Sequence, residues 1–229
     1  MFFHSVNAYD YVDPETGNVN VHVDLCSYDG PVLPYREYCL SNIVDPAAPF
    51  QDGTLVRYEL AAVNRANPAK TGRVTVKQAI HGVSMELPRI RKDMSAVPGY
   101  RYVYATSENG GPAPGSEVPV GRLGNGVKSV QSAFFGKIAK TDWKTGKFIT
   151  WQPDNGESCP CEPVFIEAPN AETEDDGVVL TIVVDKKGSH SILIALDGRT
   201  LREVARADMP QVYGMGPHGS FIEDLAMYS

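Results

Sequence analysis

Residues 13–25 read DPETGNVNVHVDL, a turn followed by a strand, and both signals recur along the chain. Asp13 opens the turn and Gly17 closes it, because Asp bonds the turn backbone and Gly accepts the left-handed conformation that tight turns need. From Val19 to Leu25 apolar and polar residues alternate, which places three valines and Leu25 on one face of a strand. The segment therefore predicts a β-hairpin.

Eight further runs have strand character and are separated by turn residues. They are residues 55–60, 73–80, 100–105, 134–139, 148–151, 178–184, 191–196 and 201–207. No window of a dozen residues keeps apolar side chains at helical spacing, and prolines interrupt most candidates. The chain is therefore predicted to be all-β.

The turn signal also suggests an internal repeat. Copies lie at residues 13–17, 67–72 and 142–146, with a looser one at residues 197–201. Subtracting a Gly- and Pro-rich insertion at residues 109–126 leaves roughly one period, near the 40–50 residues of a propeller blade. Three to four blades barely close a ring, so part of a larger propeller is favoured. Residues 2–9, which are predicted to begin as a buried strand, favour it too; a β-sandwich with coincidentally spaced turns is the alternative.

Composition excludes several classes of protein. The chain has 229 residues, of which 42% are hydrophobic, and its net charge is −7. No apolar run approaches the about 20 residues of a membrane-spanning helix, and without a Lys/Arg cluster nucleic acid is a poor partner. The absence of a signal peptide predicts a cytoplasmic protein. The four cysteines (Cys26, Cys39, Cys159 and Cys161) are interpreted as free thiols, because their spacing does not fit a zinc site.

Five histidines are candidate metal ligands: His4, His22, His81, His190 and His218. His22 lies on the polar face of its strand and His190 follows a turn, so both are predicted to face solvent. His81 is ambiguous. His4 and His218 lie in apolar or glycine-rich surroundings, where an imidazole needs a specific partner, and a metal ion is one option.

Seven short blocks carry a family resemblance. They are residues 3–9 (FHSVNAY), 85–90 (MELPRI), 100–104 (YRYVY), 162–166 (EPVFI), 174–180 (EDDGVVL), 205–207 (ARA) and 218–221 (HGSF). In this order the set resembles the C-terminal part of the carotenoid cleavage dioxygenases, the family that includes the retinal pigment epithelium isomerase and stilbene-cleaving oxygenases. The blocks span essentially the whole chain and are most similar to fungal retinal-forming and torulene-cleaving members.

The resemblance implies a seven-bladed β-propeller, of which this chain is the C-terminal portion, about half, with Fe(2+) on its axis. His4 matches the third of four histidine ligands and His218 the fourth. Glu86 and Glu162 match carboxylates that hydrogen-bond ligand imidazoles, and by position Glu86 is paired with His4 and Glu162 with His218. Phe3, next to a ligand, is expected to contact substrate. His22, His81 and His190 match no ligand position.

The implied reaction is cleavage of a C=C bond of a carotenoid or apocarotenoid by a non-haem Fe(2+) dioxygenase, which inserts both atoms of O₂ to give two carbonyl products. Two alternatives stay open: a stilbene-cleaving dioxygenase of the same family, and a non-catalytic β-propeller used as a binding module. The family's other two histidines lie in an N-terminal half that this sequence does not contain. Residues 1–229 are therefore expected to be a partial propeller domain, inactive alone, with any peripheral membrane contact made through the missing half.

Overall fold

The computed structural model describes residues 1–28, 53–63, 73–107, 136–153, 157, 160–185, 188–214 and 216–222. Within these residues the chain forms twelve strands and one turn of 3-10 helix, Lys92–Met94. The strands are β1 (Phe2–Val12), β2 (Val19–Ser27), β3 (Thr54–Ala61), β4 (Arg73–Ile80), β5 (Glu86–Arg89), β6 (Tyr102–Ser107), β7 (Lys137–Asp142), β8 (Phe148–Trp151), β9 (Val164–Glu167), β10 (Gly177–Val184), β11 (Ser191–Asp197) and β12 (Glu203–Asp208). The prediction of an all-β protein is confirmed.

The strands form three four-stranded antiparallel sheets, each a meander in which every strand pairs with the next. The first blade contains β1–β4, the second β5–β8 and the third β9–β12. Phe2, Glu86 and Val164 begin the three blades, so a blade takes about 80 residues rather than the 40–50 expected from the repeat. The predicted period is therefore wrong, although three blades agree with the predicted number.

The period is wrong because the same turn sequence occurs twice within the span of one blade. The turn at residues 13–17 joins β1 to β2, and residues 67–72, which lie outside the described residues, fall between β3 and β4 of the same blade. The turns at residues 142–146 and 197–201 join β7 to β8 and β11 to β12. The turn motif therefore indicates a hairpin between two consecutive strands and does not indicate where a blade begins.

The three described copies of this turn share one geometry. Asp13, Asp142 and Asp197 each accept a hydrogen bond from the residue four positions later, and the distance is 2.8 Å in all three. That later residue has a left-handed backbone: φ is 68° at Gly17 and Gly146, and 54° at Leu201. The looser fourth copy is therefore a true copy, in which a buried leucine takes the strained position.

The blades are held together by one apolar cluster at each interface. Between the first and second blades lie Tyr9, Cys26, Leu55, Ile80, Met85, Tyr100, Val103 and Trp143. Between the second and third lie Tyr104, Ile138, Val179, Val183, Ile194 and Leu196. Because each cluster draws on two neighbouring sheets, the core lies between the blades, as side-by-side packing requires.

The polar face of β2 is the buried one, which contradicts the prediction that His22 faces solvent. His22 is 9% exposed and Asp24 is fully buried, while the valines of β2 are half-buried. Each buried polar group has a partner: Asp24 pairs with Arg57, and His22 bonds Tyr9 Oη and Glu59. Burial of polar groups is tolerated when they are paired in this way.

The first strand also differs from its prediction. Residues 2–9 were expected to begin as a buried strand, but Phe2 is 52% exposed and Phe3 39%. β4 and β8 match their predicted bounds, whereas β5 and β9, four residues each, have no counterpart among the predicted runs. Residues 134 and 135 of the predicted run 134–139 lie outside the described residues, as does the insertion at residues 109–126.

Two remaining expectations concern cysteines and membrane spans. Cys26 and Cys161 are buried thiols rather than halves of a disulfide, and Cys39 and Cys159 lie outside the described residues. In the part of the chain that the structure describes, no helix has the length and apolar character needed to cross a bilayer.

Candidate metal centre

The first strands of the three blades converge on one groove. It has a volume of about 920 Å³ and is lined by residues 5–6 of β1, residues 88–93 at β5, residues 164–167 of β9, and residues 219–222 after β12. β1 also contacts β5 directly. Two of its lining residues, Ser5 and Gly219, directly follow the predicted ligands His4 and His218 in the sequence.

His4 is held by a buried carboxylate from the second blade. The pairing of β1 with β2 shifts register between Phe2 and Ser5, so His4 lies at an irregular point of the strand. Its Nδ1 lies 2.5 Å from Oε2 of Glu86, which is 5% exposed. Glu86 also accepts hydrogen bonds from Tyr28 Oη at 2.7 Å and from the Leu87 amide at 3.1 Å.

His218 is held by a second buried carboxylate. It lies in residues 216–222, which have no regular secondary structure, and its Nδ1 lies 3.2 Å from Oε1 of Glu162. Glu162 stands just before β9, is 6% exposed, and also accepts the Gly219 amide at 2.9 Å. Each of the two glutamates thus lies behind the imidazole with which the sequence paired it.

The two imidazoles face each other although 214 positions separate them in the sequence. Their ring centroids are 5.3 Å apart and the ring planes are inclined by 69°. Because a carboxylate only accepts hydrogen bonds, Nδ1 carries the proton in each ring and Nε2 keeps its lone pair. The hydrogen bond to Glu86 raises the pKa of His4, against the opposing effect of burial.

This donor set fits part of a metal centre. Imidazoles bind first-row transition metals through a free nitrogen at about 2 Å, and a carboxylate behind each ring fixes the tautomer. The 5.3 Å between centroids is a separation that two imidazoles on one ion can have. Among the described residues no group of three or more His, Cys, Asp or Glu could hold an ion. The ligand roles of His4 and His218 stay predictions.

The other predicted residues do not join this pair. Phe3 packs edge-on against the Tyr28 ring, with centroids 5.5 Å apart, so it reaches the site through the tyrosine that bonds Glu86. Its contact with substrate stays a prediction. His190 bonds Asp208 on β12, and His81 is exposed at the end of β4.

Sequence reasoning missed three residues that complete the arrangement: Tyr28, Arg89 and Gly219. Arg89 Nη2 donates to Glu162 Oε2 and to the Gly219 carbonyl, both at 2.7 Å. The one available signal for Arg89 was its position in the block at residues 85–90, three residues after Glu86. Gly219 likewise lies in the block at residues 218–221, next to His218, whereas nothing in the local sequence around Tyr28 indicates its contact.

Comparisons with known proteins decide the family. Residues 1–223 match the family model described as retinal pigment epithelial membrane protein. The chain belongs to this family. Its resemblance to the carotenoid cleavage dioxygenases is confirmed by relatives that are named as such enzymes. The torulene dioxygenase of Fusarium fujikuroi is 30% identical over 95% of this chain and 37% of its own length.

Other family members agree. The carotenoid isomerooxygenase of Galleria mellonella is 34% identical over 90% of this chain and 35% of its own length. The β,β-carotene 15,15'-dioxygenase of Gallus gallus is 32% identical over 67% of this chain and 25% of its own length. The chain therefore spans less than two fifths of the length of these relatives.

Solved structures confirm the fold class. The cobalt-substituted ACO of Synechocystis superposes with a TM-score of 0.65 at 20% identity, over 94% of this chain and 38% of that one. An ACO/RPE65 chimera superposes with a TM-score of 0.64 at 21% identity, over 98% of this chain and 40% of that one. At such identities the likeness concerns the fold, and the three blades of this chain match part of a carotenoid-oxygenase propeller.

Proposed function

We propose that the chain supplies two of the four histidines of an Fe(2+) centre in a dioxygenase that cleaves a C=C bond of a carotenoid or apocarotenoid. The observation that carries the proposal is the meeting of His4 and His218, each backed by a buried glutamate. Membership of the family supports it, since relatives are named torulene dioxygenase and β,β-carotene 15,15'-dioxygenase.

In this proposal the chain's own residues prepare the centre for the ion. Glu86 and Glu162 hold the Nδ1 protons, so that each ring presents Nε2 and its basicity is raised. Both rings are neutral when bound and leave the charge of the ion uncompensated. The ion supplies the binding and activation of O₂ beside the polyene. Phe3 would limit the space next to His4 on the substrate side.

The described residues provide too few donors for a complete centre. Two imidazoles hold a ferrous ion weakly, so we propose that two further histidines come from outside these 229 residues and that this stretch is inactive alone. Substrate and O₂ are then the partners of the assembled enzyme. We expect that enzyme to be cytoplasmic, with any peripheral membrane contact made through the rest of the protein.

The test measures the iron content of the full-length protein by elemental analysis. His4→Ala and His218→Ala should each lose most of the bound iron, because removing one ligand typically weakens a site severely. His81→Ala, at an exposed position, should retain the wild-type content. If both ligand variants keep their iron, the chain is a propeller used as a binding module and the proposal is wrong.

Turnover separates the remaining alternative. The full-length protein should cleave an apo-carotenal into two carbonyl products and leave resveratrol intact. Cleavage of resveratrol alone would identify a stilbene-cleaving dioxygenase of the same family and would contradict the proposed substrate class.

A further inference from the structure

The two histidines are anchored differently. His4 lies within β1, whose backbone pairs with β2. His218 lies in residues 216–222, without a strand to hold it. Irregular segments have fewer backbone constraints than strands, so the position of His218 depends on side chains that grip its own segment.

Both the amide and the carbonyl of Gly219 form hydrogen bonds with charged side chains. Glu162 Oε2 accepts the Gly219 amide at 2.9 Å, and Arg89 Nη2 donates to the Gly219 carbonyl at 2.7 Å. The same Arg89 nitrogen lies 2.7 Å from Glu162 Oε2. Arg89 and Glu162 thus form an ion pair across the residue that follows His218, and we call this pair the clamp.

We propose that Arg89 is a positioning residue that sets His218 against His4, a role that rests on the proposed function. Arg89 ends β5, and Glu86 begins it. One short strand therefore carries the carboxylate that holds His4 and the guanidinium that holds the His218 segment. Through the clamp, β5 fixes the distance between the two imidazoles.

Charge supports this role as well as geometry. Glu162 is almost completely buried, with 4% of its side chain exposed, whereas the Arg89 side chain is 38% exposed. Arg89 therefore provides the positive charge that stabilises a buried carboxylate while remaining open to the groove. Without Arg89, Glu162 would keep only its bonds to His218 and the Gly219 amide, and the Gly219 carbonyl would lose its partner.

The test uses the metal-free full-length protein, with Co²⁺ as the probe. Arg89→Met should weaken Co²⁺ binding by about 10- to 100-fold, the usual effect of losing a group that orients a ligand. Arg89→Lys places a charged nitrogen near the same point and should recover most of the affinity. Arg91→Met is the matched control: Arg91 lines the same groove but pairs with Asp93 and Glu167, so its Co²⁺ affinity should equal that of the wild type.

A second readout needs no metal. In the metal-free protein, the imidazole ¹⁵N resonances of His218 should shift in Arg89→Met, while those of His4 stay in place. A structural role alone would not shift one histidine and spare the other. If Arg89→Met does not fold, Arg89→Gln, which lacks the charge, decides by the same two readouts.

Each outcome bears on a different claim. Wild-type Co²⁺ affinity and unshifted His218 resonances in Arg89→Met would overturn the role of Arg89 and leave the proposed function standing. Failure of the wild-type protein to bind Co²⁺ would overturn the proposed function, and the inference with it. If Arg91→Met weakened Co²⁺ binding as much as Arg89→Met does, the inference would also be overturned. Loss of any positive charge in the groove would then be enough to lower the Co²⁺ affinity.

Discussion

At the scale of single residues, the buried carboxylate of Glu86 accepts three hydrogen bonds, from His4 Nδ1, Tyr28 Oη and the Leu87 amide. Each of these hydrogen bonds replaces a bond to water that the carboxylate lost on burial. The Glu86 oxygen accepts from His4 Nδ1, so that ring nitrogen carries the proton. The nitrogen that His4 leaves free for a metal ion is therefore set by a residue 82 positions away in sequence.

Glu86→Gln tests this dependence. Glutamine keeps the shape but loses the charge, so His4 should become a weaker and less oriented donor. We expect Co²⁺ affinity of the full-length protein to fall by about 10- to 100-fold, measured by titration with spectroscopic detection.

Glu59→Gln is the control, because it alters another glutamate–histidine hydrogen bond. Glu59 bonds His22 Nε2 at 3.1 Å on β3, away from the groove. Its Co²⁺ affinity should stay at the wild-type value. An equal loss in both variants would show that the effect is a general one on folding.

Single residues also show what sequence can reveal. Local sequence predicted that His22 faces solvent and that His4 lies in apolar surroundings, and the family blocks then gave His4 a ligand role. Alternation told which residues of β2 share a face, but not that the face with Asn20, His22 and Asp24 is the buried one. Burial of this polar face depends on partners such as Arg57. Strand pairing brings Arg57 close to β2, and the local sequence of β2 cannot indicate it.

At the scale of elements, a delimiting turn decided which strands could be predicted. β4 and β8 match their predicted bounds because turn residues delimit them. β5 and β9 have four residues each, as β8 does, but no Asp-to-Gly turn like that at residues 142–146 precedes them, and four residues are too few for a period of two to stand out. Yet β5 carries Glu86 and Arg89, and Glu162 stands just before β9. The site therefore emerged from the resemblance and not from periodicity.

The turn after β7 supports a prediction about pH. Asp142 receives two hydrogen bonds from Arg101, at 2.7 Å each, and these lower the pKa of Asp142 from 3.8 to about 2. A carboxyl group with a lowered pKa stabilises the fold above its unfolded pKa and loses that effect as the pH falls toward the folded value. Asp142→Asn should therefore destabilise the protein by about 1 kcal/mol at pH 7.

The difference between Asp142→Asn and wild type should shrink between pH 4 and about pH 2, the interval set by the two pKa values. Urea unfolding midpoints at a series of pH values provide the measurement. Asp197→Asn, at the same position of the turn in the third blade, is the comparison and should show a weaker dependence, because its carboxylate bonds Thr200 and backbone amides. A difference for Asp142→Asn that stays constant down to pH 2 would contradict the role of the Arg101 pair.

At the scale of the whole molecule, a buried ion pair within the first blade contacts aromatic residues of the second. Arg57 on β3 holds Asp24 on β2 through two hydrogen bonds of 2.8 and 2.7 Å, and its guanidinium lies 4.3 Å from the Trp143 ring of the second blade. Tyr100 also donates to Asp24. Burial alone would lower the pKa of Arg57, but the Asp24 carboxylate more than offsets this and raises it.

Removing Asp24 should therefore be costly. Asp24→Asn would leave Arg57 buried without a counter-charge, which typically costs about 3–5 kcal/mol. Urea unfolding of the full-length protein provides the measurement. Asp93→Asn, which removes a partly exposed pair with Arg91, should change the free energy of unfolding by less than about 1 kcal/mol. A similar loss of unfolding free energy in both variants would show that the Asp24–Arg57 pair stabilises the protein no more than a partly exposed pair does.

The proposed function and the positioning role of Arg89 both depend on one ion shared by His4 and His218. The most direct measurement is anomalous diffraction at the cobalt edge from crystals of the full-length, Co²⁺-loaded protein. We predict one strong peak at bonding distance, about 2 Å, from Nε2 of both histidines, with Glu86 and Glu162 on their Nδ1 atoms. A peak at any other place in the propeller, with His4 and His218 free of it, would contradict the assignment of this centre.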